Sequence, residues 1–174
     1  DMTYSAPIFV RARFMNANAG EIKVLDFGVA RVEMDAREAQ TRSSGWIGTE
    51  LYMSPERILI QGDTPAGDVY AAAATLVECI LGKALGRTPV LEDEHTKLVD
   101  HTLSQCRPLL DGEPGALDTL LDLLAAALAA DPLDRPTARE FADALEPLAR
   151  SFHGESLSAF SRRFLPQIDT HLDR

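Results

Sequence analysis

The sequence has little of what would place it in several large classes of protein. Its 17 basic residues are outnumbered by 27 acidic ones, and the net charge of -10 argues against a surface for nucleic acid or anionic membrane. Cysteine occurs only as Cys79 and Cys106, without metal-ligand spacing, which favours reduced thiols over a disulfide framework. No apolar run is long enough to cross a bilayer and no signal pattern is present, so we expect a cytoplasmic protein with no membrane segment in this chain.

What is present is a chain of ordinary globular composition. Its 174 residues, 45% of them apolar and 25% charged, suffice for one compact domain with its own core. Because the first residue is Asp1 rather than methionine, we expect a fragment of a longer protein.

The first part of the chain carries a strand pattern followed by a polar segment. Residues 11–16 and 21–26 flank an Ala-Asn-Ala-Gly turn, which predicts a short β-hairpin. Residues 29–53 are mixed in character and lack sustained periodicity, so they are predicted to form a loop. After this loop the pattern becomes helical and stays helical.

The helical part begins with a short helix and continues with a buried one. Ser54-Pro55 offers an N-cap hydroxyl and a first-turn proline, and Gly62 is expected to end this short helix. Residues 67–81 are apolar on every face, which predicts a central, buried helix that stops at Gly82. Thr137-Ala138-Arg139-Glu140 is a capping box that opens a later helix. Further helices are predicted over Glu92–Leu103, Ala116–Ala130 and residues 155–165.

The four histidines and one basic pair show no sign of a site. His95 and His101 lie on a polar helical segment and are expected to be exposed, and the basic pair Arg162-Arg163 is expected to be a solvated helix face. His153 and His171 also lack metal-ligand spacing.

Four motifs occur in a fixed order along the chain. They are Asp26-Phe27-Gly28 after an apolar run, Gly48-Thr49-Glu50-Leu51-Tyr52-Met53-Ser54-Pro55-Glu56, Gly67-Asp68-Val69-Tyr70, and Asp131-Pro132-Leu133-Asp134-Arg135-Pro136-Thr137. Together they resemble the large, C-terminal lobe of bacterial serine/threonine protein kinases over roughly residues 11–150. A lone Asp-Phe-Gly would say little, whereas four landmarks in the right order are specific.

The resemblance implies a fold and a domain layout. We expect a mainly α, protein-kinase-like large lobe: a helical bundle with a short N-terminal β-hairpin, which would count as α+β if a small lobe were included. No counterpart of the small lobe occurs in this sequence. Residues 1–150 would form a partial kinase domain, and residues 151–174 a C-terminal extension with one amphipathic helix.

The resemblance also implies where ATP and a protein substrate would bind. Asp26 would hold a metal ion on ATP, and Asp26, Phe27 and Gly28 would form part of the cofactor site, so ATP and Mg²⁺ are the implied cofactors. A protein substrate would dock on the loop that contains Gly48, Thr49 and Tyr52. Hydroxyls in the preceding loop that phosphorylation could order are Thr41, Ser43 and Ser44.

Three further residues have implied roles that need no catalysis. Glu56 and Arg135 would form a bidentate ion pair that pins the end of the long loop to the start of a helix. Asp68 would accept hydrogen bonds from backbone N–H groups of the catalytic loop.

The catalytic loop of the family, in contrast, is degenerate in this sequence. The aspartate of its His-Arg-Asp motif accepts the proton of the substrate hydroxyl, and its position falls on Ile8. An isoleucine cannot accept a proton, and no carboxylate occurs between Asp1 and Glu21 that could replace it.

Two interpretations therefore stay open, and whether the chain is an enzyme is undecided at this point. One is a fragment of a protein serine/threonine kinase, which transfers the γ-phosphate of ATP to protein hydroxyls but is not expected to be active as this chain. The other is a pseudokinase-like, non-catalytic scaffold that binds a protein partner. An unrelated helical interaction module would explain the helices but not the ordered motifs.

Overall fold

The computed structural model describes residues 50–62 and 64–156, together with Ala159 and Arg162. These residues are mainly helical, as the sequence predicts. The predicted hairpin and the loop before residue 50 lie outside the described residues. The α-helices of the described part are α1 (Pro55–Ile58), α2 (Pro65–Leu81), α3 (Glu92–Cys106), α4 (Pro114–Ala127) and α5 (Ala138–Leu148). Short 3-10 turns lie at Glu50–Tyr52, Arg107–Leu109 and Pro132–Asp134.

Helix α2 is the centre of the described part and lies against α3, α4 and α5. The Thr64 side chain caps its N-terminus by accepting a hydrogen bond from the Gly67 N–H at 3.2 Å. The helix ends as predicted at Gly82, whose φ of 70° is the left-handed conformation that glycine adopts without a Cβ clash. The core around it contains Val69, Tyr70, Ala73, Ala74, Val77, Val99, Leu103, Cys106, Leu120, Leu121, Leu124, Leu128 and Phe141.

Several helix boundaries differ from those that the sequence predicts. Helix α1 ends at Ile58 rather than near Gly62, because the chain turns back and the Gln61 N–H donates to the Glu56 carbonyl oxygen at 2.9 Å. Helix α3 runs three residues past the predicted Leu103, since Cys106 continues its buried face. Helix α4 starts at Pro114 and ends at Ala127, before the predicted Ala130.

Helix α5 begins with the predicted capping box. Thr137 Oγ1 accepts from the Glu140 N–H at 3.2 Å, and Glu140 Oε2 accepts from the Thr137 N–H at 2.8 Å. Phe141 is buried and Leu145 packs against the core, as the amphipathic pattern predicts. Beyond α5 an isolated antiparallel bridge joins Gly112 to Phe152.

Some predictions concern the ends and the exposed parts of the chain. Of the helix predicted over residues 155–165, Ala159 and Arg162 are helical, and most of the rest lies outside the described residues. Both cysteines are free thiols, with Cys79 exposed and Cys106 buried. None of the described helices combines the length and the apolar character that crossing a membrane requires.

Candidate functional site

An ion pair joins the short helix α1 to the segment before α5. Arg135 Nη1 donates to Glu56 Oε1 and Arg135 Nη2 donates to Glu56 Oε2, both at 2.8 Å. The side chain of Arg135 is 0% exposed and that of Glu56 is 6% exposed. This is the bidentate guanidinium–carboxylate geometry, which fixes direction as well as distance.

Every N–H donor of the Arg135 guanidinium has an acceptor. Besides the two bonds to Glu56, Arg135 Nε donates to the Ala129 carbonyl oxygen at 2.8 Å. Nη1 donates to the Ala66 carbonyl oxygen and Nη2 to that of Ala130, each at 3.1 Å. The carbonyl groups of Ala129 and Ala130 belong to the residues that follow α4. The buried charge is thus satisfied by α1, the start of α2 and the segment after α4 together.

Tyr70 of α2 lies beside this ion pair. The Arg135 Cζ atom lies 5.0 Å from the centroid of the Tyr70 ring, within cation–π range. Burial raises the pKa of Tyr70 to about 12, so its hydroxyl keeps its proton at neutral pH. Burial alone would raise the pKa of Glu56 as well, but the hydrogen bonds that its carboxylate accepts, chiefly from Arg135, together with the positive charge of Arg135 outweigh burial and hold that pKa below its ordinary value.

The residues just before α1 are tied to α2 and to the segment that follows α2. The Tyr52 hydroxyl donates to Glu78 Oε2 at 2.5 Å. The Met53 carbonyl oxygen accepts from the Thr88 hydroxyl at 2.7 Å. Residues 52–56 are therefore held at Tyr52 and Met53, just before α1, and at Glu56 within it.

A close approach of α1 and α2 depends on Gly67. A Cβ atom at this position would lie 3.3 Å from Ser54 Oγ and 3.4 Å from Glu56 Oε1. Ser54 caps α1 only in its backbone conformation, since its side chain makes no capping hydrogen bond and its buried Oγ has no partner. Glycine at position 67 lets the Glu56 carboxylate sit against the helix N-terminus.

His95 corrects a prediction from the sequence. It was expected to be exposed on α3, but it is 1% exposed, and its ring lies 5.8 Å from that of Tyr70 between centroids. The signal was available in the spacing, because His95 lies four and eight positions before Val99 and Leu103, which face the core. His101, for which the same exposed placement is predicted, is exposed.

Glu56 and Arg135 belong to two of the ordered motifs of the sequence, and comparison with known proteins shows the family. Residues 12–145 match the protein kinase domain. The chain belongs to the protein kinase family. The contacts between Glu56 and Arg135 and at Tyr52 and Met53 are thus contacts of a kinase large lobe, and its helices are the expected helical bundle.

Individual kinases give the same result. The chain is 35% identical over 147 residues to a probable serine/threonine-protein kinase of Corynebacterium efficiens, covering 80% of this chain and 22% of that protein. It is 33% identical over 147 residues to the probable serine/threonine-protein kinase PknB of Corynebacterium glutamicum, with the same coverage of 80% and 22%. It is 34% identical over 142 residues to the tyrosine-protein kinase MasK of Myxococcus xanthus, covering 80% of this chain and 20% of that kinase. The chain therefore spans about a fifth of the length of these curated relatives.

The described part of the kinase lobe contains some of the predicted site residues and not others. Tyr52, Glu56, Asp68 and Arg135 are described, and Asp68 is half-buried at the start of α2. Its role toward the catalytic loop stays a prediction. The remaining predicted positions lie outside the described residues: Ile8, Asp26, Phe27, Gly28, Thr41, Ser43, Ser44, Gly48 and Thr49.

Sequence reasoning found the ion pair partners and missed the polar groups around them. The sequence places Tyr70 in a motif and in an apolar helix without a role for its hydroxyl, and it gives Thr88 no role. The hydroxyl of a tyrosine inside an otherwise apolar helix is the signal that was available, since a buried hydroxyl needs a partner. Among the described residues no group of three or more His, Cys, Asp and Glu side chains is arranged to hold a metal ion.

Proposed function

We propose that this chain is the large-lobe portion of a protein serine/threonine kinase, with residues 1–150 as a partial kinase domain and residues 151–174 as a C-terminal extension. The reaction of the family is transfer of the ATP γ-phosphate to a protein hydroxyl. The family match over residues 12–145 and the similarity to bacterial serine/threonine kinases support this assignment. We further propose that the chain alone transfers no phosphate.

The observation that carries the proposal is the buried pair of Glu56 and Arg135. Through Arg135, which also donates to the Ala66 carbonyl oxygen of α2, the pair fixes the short helix that follows residues 48–53, the stretch that would receive the protein substrate. Thr49 would line this docking loop, and Tyr52, bonded to Glu78, would support it. This arrangement suits a protein substrate or partner rather than a small molecule, because it presents a segment of chain on a rigid support.

ATP and Mg²⁺ are the cofactors that membership of the family suggests. Asp26 would be the metal ligand, with Phe27 and Gly28 beside it, and a bound Mg²⁺ would neutralise charge on the phosphate oxygens. The donor set of the sequence is incomplete for catalysis, since the position of the proton acceptor falls on Ile8. An apolar side chain there leaves the substrate hydroxyl without a base.

A second candidate function, a pseudokinase-like scaffold, is favoured by this imbalance. The groups that support the docking loop, Glu56 and Arg135, are present and fully bonded, whereas no carboxylate occurs between Asp1 and Glu21. Such a chain would bind a protein partner through the docking loop without modifying it.

One experiment tests whether this chain transfers phosphate at all. The 174-residue chain is incubated with Mg-ATP and a generic protein substrate, and phosphate incorporation is read by mass spectrometry, with Asp26→Ala as the matched control. We expect no phosphorylation of the substrate or of the chain. Incorporation that Asp26→Ala abolishes would show an active kinase and overturn the scaffold.

Nucleotide binding is measured in the same preparation as a change in melting temperature. A rise in melting temperature with Mg-ATP that Asp26→Ala cancels would show that the ATP site functions without transfer. No rise in either protein is the result expected of a scaffold that has lost the nucleotide site.

A further inference from the structure

Behind the proposed docking loop, polar groups from four segments form one continuous line of hydrogen bonds. His95 Nε2 of α3 lies 3.2 Å from the Tyr70 hydroxyl of α2. That hydroxyl lies 3.1 Å from Thr88 Oγ1, which lies 2.7 Å from the Met53 carbonyl oxygen. The exposed fractions of His95, Tyr70 and Thr88 are 1%, 0% and 4%, so the line is shielded from water along its length.

The direction of every bond in this line follows from its last member. A carbonyl oxygen only accepts, so the single hydroxyl proton of Thr88 must point to Met53. Thr88 can then only accept from Tyr70, and the single hydroxyl proton of Tyr70 is used in that bond. Tyr70 must therefore accept from His95, which requires the proton of the neutral imidazole to be on Nε2.

We propose that this proton-ordered line is a brace through which α3 positions the Met53 end of the substrate-docking loop, with His95 as its fixed donor. The brace, defined as His95, Tyr70, Thr88 and the Met53 carbonyl, rests on the proposed function in so far as residues 48–53 receive a protein. His95 and Thr88 are then positioning residues: they touch neither substrate nor cofactor and act through the backbone of the loop.

The length of α1 explains why the loop needs such a brace. Four residues are too few for a helix to set its own orientation, so α1 depends on contacts from outside. Arg135 holds it from the side of Glu56, and Thr88 holds the residue that precedes Ser54. Tyr70 takes part in both contacts that hold α1. Its ring faces the Arg135 guanidinium, and its hydroxyl donates to Thr88 within the brace.

The choice of residue types also points to positioning rather than to filling of space. An apolar side chain at position 95 would fill the core without the free-energy cost of burying an imidazole. Burial, with a smaller contribution from the positive charge of Arg135, lowers the pKa of His95 and so keeps the ring neutral. A neutral ring with one proton is what a line with a single direction requires.

The first test reads the proton on His95 by NMR of the chain labelled with ¹⁵N in histidine, with His95→Gln used to assign the signal. At pH 7 we expect Nε2 to carry the proton. In Thr88→Val the Tyr70 hydroxyl loses its acceptor and is free to donate to Nε2, so the imidazole proton should move to Nδ1. Thr88→Ser keeps the hydroxyl and should keep the proton on Nε2. A proton on Nδ1 in the unsubstituted chain, or no change in Thr88→Val, would overturn the brace.

The second test measures position directly, as hydrogen exchange of the Arg57 and Ile58 amides, which both donate to the Ser54 carbonyl oxygen. Loss of one neutral hydrogen bond should speed their exchange by roughly 3- to 10-fold in Thr88→Val and His95→Leu. His95→Gln retains an N–H donor and should restore slow exchange. The amide of Phe141 in α5 is the internal reference. Equal acceleration at Phe141 would show general loosening of the fold and would overturn a positioning role.

Both readouts concern the chain alone and do not depend on phosphate transfer or partner binding. A chain that has the predicted proton order but binds no protein through residues 48–53 would overturn the proposed function and leave the brace intact. An imidazole proton that stays on the same nitrogen in Thr88→Val would overturn the brace and leave the proposed function intact.

Discussion

Two groups of side chains in this lobe are both buried and are held in different ways. The polar cluster consists of Glu56, Tyr70, Thr88, His95 and Arg135, and hydrogen bonds or ring contacts connect all five. The apolar core is represented by Val77, Cys106, Leu124 and Leu128, each 0% exposed. Hydrogen bonds have a required direction and donor count, whereas apolar contacts require volume and shape. The comparison therefore suggests that the cluster specifies one arrangement and that the core supplies most of the driving force for folding.

The largest effect is expected from removal of the cation in the polar cluster. Arg135→Ala leaves the Glu56 carboxylate buried and unpaired, which should cost about 3–5 kcal/mol of the free energy of unfolding. Chemical denaturation followed by circular dichroism measures this change. Arg139→Ala is the matched control, because its side chain is 91% exposed and its pair with Asp143 spans 3.8 Å. Equal, small losses in the two variants would remove the distinction between the cluster and the surface.

The apolar core should respond to loss of volume and tolerate a change of shape. Leu124→Ala removes a fully buried side chain and should cost about 2–5 kcal/mol, whereas Leu124→Met should cost less than about 1.5 kcal/mol. The polar cluster should not show this tolerance: Glu56→Gln preserves volume but removes the charge that Arg135 faces. If Glu56→Gln proved as mild as Leu124→Met in the same denaturation assay, the difference between the two regions would disappear.

A helix cap outside both regions gives a baseline for local effects. Thr137→Ala removes the side-chain half of the capping box on α5 and should cost about 1 kcal/mol. For a chain of this size that corresponds to a fall in melting temperature of about 2–4 °C by calorimetry. Thr96→Ala, at an exposed position within α3, should leave the melting temperature almost unchanged. A loss of stability in Thr137→Ala larger than that in Leu124→Ala would mean that α5 depends on its cap more than on its packing.

The smallest effect on stability is expected from the titration of His95, and it should be seen only at acid pH. The groups that face it are the Tyr70 hydroxyl of α2, the Arg135 guanidinium before α5 and the Glu56 carboxylate of α1. Its pKa in the folded chain is lowered, chiefly by burial, so the unfolded chain binds the proton more readily. Stability should be intact above the unfolded pKa of about 6.5 and should decline as pH falls from there toward the lowered folded pKa.

The matched variant for this pH effect is His95→Gln. Its stability should not decline in that window, and the two curves, obtained by denaturation at each pH, should diverge only below about pH 6.5. Glu56 acts in a separate window: its lowered pKa makes its contribution present above the unfolded pKa of about 4.3 and lost on further acidification. Parallel curves for the two proteins as pH falls below about 6.5 would mean that His95 does not titrate differently in the folded state.

Much of the fold could be predicted from local rules. The helix stop at Gly82 and the cap at Thr137–Glu140 depend on conformations and hydrogen bonds within a few residues, so the sequence contained the whole cause. The end of α4 could not be placed this way. The carbonyl groups of Ala129 and Ala130, just after it, accept hydrogen bonds from Arg135, which is brought to them by the fold rather than by local sequence.

The candidate site was predictable where charges pair and unpredictable where neutral polar groups meet. Glu56 and Arg135 lie 79 positions apart, and only the order of motifs suggested that they touch. The contacts of Tyr70, Thr88 and His95 join three separate segments. Because these side chains are neutral, opposite charge cannot be used to predict which of them pair. The predicted exposure of His95 is wrong because the overall polarity of α3 does not reveal that His95 shares a buried face with Val99.

The complete bonding of Arg135 has a consequence for how such chains are inherited. Because all of its donors are engaged, by a carboxylate and by three backbone carbonyl groups, lysine could not replace it without loss. Natural selection for a chain that folds is then enough to preserve Glu56 and Arg135 in a descendant, whether or not that descendant still transfers phosphate. A family signature that is preserved because it stabilises the fold is evidence of common ancestry. It is not evidence of present activity, which has to be measured.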